Sequence, residues 1–230
     1  MWNLYDDLYI GIPSGIRIDG CIIGEEWTMV HANGNTGIAK TLELPENPGA
    51  FPGEYASSFI GAYLRDTANH MKWDSIARAC VGVAAMNAWY NTKQRVEELE
   101  GDYAEALITG DTAYIGNYAG ENTFPLPQSK DFDATEYKDL CKFDNVIISS
   151  DALIAGTLPK LLDIIGEKEN VIIEGDAVPC SALFFSFGLP VTEIRGWFLE
   201  PGYSSADEPE TSMQKFFINR ETIRRIQKRI

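Results

Sequence analysis

Two short runs of β-branched residues, Val146-Ile147-Ile148 and Val171-Ile172-Ile173, constrain this chain more than anything else in it. A strand with one wet face alternates apolar and polar residues, so unbroken apolar runs of this length suit strands covered on both faces. Leu158, Leu161, Leu162 and Ile165 recur at helical spacing between them, and Thr157 ahead of Pro159 is a helix start signal. Strand, helix, strand in that order predicts parallel pairing through a crossover. Ala113-Tyr114-Ile115 and Val191-Thr192-Glu193-Ile194 supply two more strands, with Cys180 to Phe187 as a shorter helix before the last.

The first half reads differently. Trp2 to Ile10 predicts a short amphipathic helix stopped by Gly11. Ile16 to Asp19, Cys21 to Gly24 and Trp27 to His31 predict an antiparallel meander, with Gly20 between the first two. Residues 45 to 53 contain three prolines and two glycines and predict a connecting loop. Helices follow over Tyr55 to Arg65 and Asp74 to Thr92, the second capped by Asp74 or Ser75. Its alanines leave so little polar surface that several of its sides should be buried, and Asn87 then needs hydrogen-bond partners, either a neighbouring turn or a ligand. The change of pattern near residue 105 divides the chain into an α+β region over 1–104 and an α/β region over 105–230.

Charge narrows the function classes. The formal net charge is −15, and six of the 19 basic residues fall in the last sixteen positions against one of the 34 acidic ones. A body this acidic has no basic face for phosphate backbones, so nucleic acid is not an expected partner. Phe216, Ile223, Ile226 and Ile230 lie at helical spacing within the basic tail, which predicts a helix docked on the acidic body, with an anion or membrane contact as the alternative. No apolar run approaches the roughly 18 residues of a membrane span. Cys21, Cys80, Cys141 and Cys180 are scattered without a Cys-x-x-Cys pair and read as reduced thiols, and the first residues lack a signal-peptide pattern, so a cytoplasmic protein is expected.

In an open parallel sheet, ligands gather beyond the carboxyl ends of the strands. Here those ends are Gly116-Asn117, Ser149-Ser150-Asp151, Glu174-Gly175-Asp176 and Arg195-Gly196. Asp151, Glu174 and Asp176 would put three carboxylates on one rim, which suits a divalent metal ion or a cationic ligand better than a bare phosphate; helix capping or plain solvation is the alternative for each. The phosphate loop, the zinc-protease motif and the nucleophile elbow are all missing. With only His31 and His70 available, a Ser-His-Asp or Cys-His triad is not expected.

Several stretches in order carry a family resemblance. They are Gly24-Glu25-Glu26-Trp27-Thr28, Gly37-Ile38-Ala39-Lys40-Thr41 and Val81 to Ala88, then Ile115-Gly116, Asn145 to Ser149 running on to Gly156-Thr157-Leu158, and Gly175 with Pro179. The chain resembles the “Putative heavy-metal chelation” family, whose function is unknown. The resemblance implies an enolase N-terminal-like domain of antiparallel strands plus helices, followed by a reduced Rossmann-like parallel sheet. It implies an interdomain cleft for a small polar metabolite or metal chelate, with Trp27, Thr28, Lys40, Thr41, Asn87, Gly116, Thr157 and Gly175 as ligand-binding positions. It also leaves open an enzyme acting on pterin-, flavin- or siderophore-like compounds by condensation or hydrolysis, a degenerate interaction module, and assembly as a homo-oligomer. Two departures stand out. Tyr118 to Asp139 is polar and holds Pro125 and Pro127, so the second βα unit is expected to be shortened or lost. Gly175-Asp176-Ala177-Val178-Pro179 replaces a hydroxyl-bearing loop and adds a negative charge.

Overall fold

The structure is a computed structural model that describes residues 4–42, 52–72, 75–100, 108–186, 188–201 and 212–228. Its first part runs α1 (Leu4–Ile10), β1 (Ile18–Ile23), β2 (Trp27–Ala32), β3 (Asn35–Lys40), α2 (Pro52–Ser57), α3 (Leu64–Ala68), α4 (Ile76–Tyr90) and α5 (Lys93–Glu100). β1, β2 and β3 form the antiparallel meander, with a register shift between Ile18 and Gly20 where two separate strands were expected. The proline-rich loop expected over 45–53 lies mostly outside the described residues, and its last two positions open α2.

The single helix expected over Tyr55 to Arg65 is instead two. Ile18 N–H donates to Ala62 O, Gly61 N–H to Ile18 O and Leu64 N–H to Ile16 O, so the chain runs along the edge of β1 before α3 starts. Backbone pairing with β1 overrides the helical pattern there.

α4 is the spine of this half. The Ser75 side chain accepts from Arg78 N–H at its start, and every residue from Ala79 to Ala88 is buried. Small residues allow the contact: a Cβ on Gly37 of β3 would stand 2.0 Å from Ala88 N and 2.1 Å from Ala84 O. One face of the meander (Val30, Ala32, Ala39) thus packs on the helix backbone itself. The opposite face (Met29, Ile38) meets Leu199 and Trp197 of the second sheet.

The second part runs β4 (Thr112–Ile115), β5 (Thr123–Phe124), β6 (Asn145–Ser149), α6 (Asp151–Ile154), α7 (Leu158–Ile165), β7 (Asn170–Glu174), β8 (Glu193–Leu199), β9 (Met213–Asn219) and α8 (Arg220–Gln227). The strands stand in the order β5-β4-β6-β7-β8-β9, all parallel except the last. The molecule is therefore the expected mixed α/β fold, an antiparallel meander followed by a mostly parallel sheet, and β6 and β7 are buried along their apolar runs. The second βα unit survives as the two-residue β5 and a 3₁₀ helix over Ala134–Lys142. Cys180 to Phe187 contains a 3₁₀ turn, Ala182–Phe185, in place of an α-helix. The basic tail is corrected too: Phe216 belongs to β9, Ile230 lies outside the described residues, and among those described Arg220 to Gln227 is helical, with Asn219 capping it through Thr222 N–H.

No helix among the described residues is long and apolar enough to cross a membrane.

Candidate functional site

At the carboxyl ends of β6 and β7 the chain turns sharply. Gly175 has φ +137°, a region closed to most side chains, and a Cβ there would lie 2.2 Å from Ser150 Oγ. Gly116 makes the same turn after β4 at φ +138°, against the Ser149 side chain. Ser150 N–H donates to Glu174 O, and Ser150 Oγ accepts from Ala177 N–H. These bonds clasp the two loops together and turn Asp151 and Asp176 toward the meander.

Between the strand ends and the meander lies a cleft of about 560 Å³, lined by Glu25, Glu26, Trp27, Lys40 and Thr41 on one side. Asn117, Tyr118, Ser149, Ser150, Asp151, Glu174, Gly175, Asp176 and Trp197 line the other. Trp27 and Lys40 are cross-strand partners on β2 and β3, so their side chains leave the same face of the meander.

The carboxylates are not equivalent. Desolvation pushes the Asp176 carboxyl up to about 6, repulsion from Asp151 adds to this, and Lys40 opposes it. Burial also raises Asp151, offset by Lys40 and by a hydrogen bond with Ser149. Glu174 is committed elsewhere: Arg195 Nη1 lies 3.1 Å from its Oε2, and Arg195 Nε pairs with the buried Glu193. The Tyr118 phenol is raised by burial and then by Glu174 and Asp151, so it stays protonated beside them.

Of the positions expected to bind ligand, Trp27, Lys40, Thr41 and Gly175 line this cleft. Gly116 lines an adjoining groove that also contains Lys40 and Asp151. Thr28 stands behind, its hydroxyl 2.9 Å from that of Thr41. Asn87 is fully buried below the floor, where Nδ2 donates to Ile38 O (2.8 Å) and Asp176 O (3.0 Å). This is the structural role, and it ties β3 to the strand-end loop. Thr157 does not reach the cleft; it is buried, and its hydroxyl donates to Ala152 O.

Asp151, Glu174 and Asp176 do share one rim, but as a cage for a bare ion they fail. Among the described residues no three His, Cys, Asp or Glu side chains converge closely enough to hold a metal, and the cleft lining includes none of the four cysteines.

Trp197 and Tyr118 were not foreseen. The sequence placed the end of β8 at Arg195-Gly196, yet antiparallel pairing with β9 carries β8 on to Leu199 and brings Trp197 into the wall. Alternation from Glu193 through Arg195 was the available signal, because it puts Trp197 on the same face.

Two family models, both described as “Putative heavy-metal chelation”, match residues 5–90 and 121–196. A solved protein of unknown function from Desulfitobacterium hafniense is similar at 20% identity and TM-score 0.73, covering 95% of this chain and 97% of its own. Another of unknown function, from Pyrococcus horikoshii, is similar at 19% identity and TM-score 0.67, covering 94% and 98%. At such identities the likeness speaks for the fold. No curated protein matches the chain.

Proposed function

Because the chain belongs to the family described as “Putative heavy-metal chelation”, we propose that it binds a small polar metabolite or a metal chelate in the cleft between its two sheets. The observation that carries this reading is the meeting of the strand-end acids Asp151, Glu174 and Asp176 with the Trp27 to Lys40 face of the meander around one hollow. A metal would come as cargo, with most of its coordination supplied by its own chelator, since the described residues form no cage. Trp27, Lys40, Thr41 and Gly175 would touch the ligand, and Asn87 and Thr28 would hold the floor and wall that do so.

Calorimetric and thermal-shift screens with divalent metals, pterins, flavins and siderophore-like chelators test the reading. Binding tighter than millimolar that weakens in Asp151→Asn with Asp176→Asn is the expected result. No binding from any set, or binding indifferent to both substitutions, would reject it.

One observation favours a second reading, an enzyme catalysing condensation or hydrolysis on such compounds. An acid that titrates at about 6 can give and take a proton near neutrality, and Asp176 is one, with Asp151 beside it and Lys40 opposite. Turnover whose rate falls with a titration near that value, and loses it in Asp176→Asn, would establish this reading; a bound ligand that never turns over would leave the first.

A further inference from the structure

We propose that the molecule taken by this cleft is an organic cation with an apolar stem, its charged group among the carboxylates and its stem laid in the adjoining groove. This rests on the cleft being the binding site and narrows what enters it.

Charge fixes the head group. Arg195 behind the wall is paired with Glu174 and Glu193, which leaves four carboxylates among the described lining residues, Glu25, Glu26, Asp151 and Asp176, against the Lys40 ammonium. An anion would enter a field of its own sign, and a bare metal ion finds no converging ligands. Trp27 and Trp197 line the cleft, and the Trp197 ring already holds a cation, Lys215 Nζ, 5.1 Å from its centroid.

Shape fixes the stem. The cleft continues into a groove of about 610 Å³ that shares Lys40, Asn117 and Asp151 with it. Beyond these shared residues the side chains of Leu42, Ile76, Pro125 and Leu126 stand along the groove, with Gln128 among them. Asp151 stands at the junction with Lys40 and Asn117, between the other carboxylates of the cleft and the Leu42, Ile76, Pro125 and Leu126 side chains of the groove. The shortened βα unit gives the groove its wall, because Pro125 and Leu126 directly follow the two-residue β5.

The test is calorimetry on the full chain with primary n-alkylamines from methylamine to hexylamine, and with the n-alkyl carboxylates of matching length. Affinity for amines should rise roughly fourfold per methylene, as expected when a methylene leaves water. The carboxylates should bind at least tenfold more weakly. Leu126→Ser should flatten the length dependence while methylamine binding persists, and Asp176→Asn should weaken every amine. The wild-type length series decides the matter even where a variant fails to fold. Carboxylates binding as well as amines, or amine affinity independent of length, overturns the proposal. Chelators or pterins binding in the cleft while no amine does overturns it and leaves the proposed function standing; silence from both sets defeats both.

Discussion

The seam between α4, the meander and the large sheet is finished in one place and left open in another. At Asn91, just past the end of α4, a single buried side chain makes three hydrogen bonds: Nδ2 donates to Val178 O (2.8 Å) and Trp197 O (2.9 Å), and Oδ1 accepts from Cys180 N–H (2.7 Å). Few residues away, the same strand-end loop carries Asp176, whose carboxyl is desolvated without a partner strong enough to compensate. The Asn91 amide faces protein and the Asp176 carboxyl faces a hollow, so the contrast fits the binding role proposed for the cleft, held at some expense in stability.

The closed end should be the more sensitive to substitution. Gly37→Val forces a side chain into the α4 backbone and should cost upwards of about 3 kcal/mol, which denaturant unfolding would reveal as a lost or strongly shifted transition. Asn91→Ala strands two carbonyls and an N–H in the interior, for a loss on the order of 3 kcal/mol by the same measurement. Asn87→Ala should lie below that, at about 1–2 kcal/mol, since it holds two carbonyls and its Oδ1 already lacks a partner. A loss at Asn87 equal to that at Asn91 would break the contrast.

The open end should respond to pH instead. The Asp176 carboxyl is raised in the folded state, so the native protein binds more protons than the unfolded chain between about pH 4 and about 6. Its contribution to stability therefore improves as pH falls through that window, and the penalty is in full force above it. Asp176→Asn should raise the melting temperature by a few degrees at pH 8 and hardly at all at pH 4. An equal gain at both would mean that the carboxylate is not strained.

How much of this was legible depends on how local the signals are. Val146 to Ile148 and Val171 to Ile173 announce buried strands by themselves, and with them the rim that holds Asp151, Glu174, Gly175 and Asp176. Lys40 and Trp27 could be assigned to the cleft only through the resemblance. β9 was missed because Lys215 and Phe217 occupy the less buried face and the pairing that makes Met213 to Asn219 a strand is with β8, which no pattern within the segment itself reports. The break in the expected Tyr55 to Arg65 helix has the same origin, at Gly61 with φ +82° against β1. Thr157 was assigned to the cleft by the resemblance alone, and here its hydroxyl folds back on Ala152.

Difference electron density from crystals grown with the tightest binder of the ligand screen tests the central claim most directly. The expected result is new density against Trp27, Lys40 and Gly175, with Asp151 and Asp176 in contact. Density on another face of the molecule, with this hollow unchanged, would contradict it.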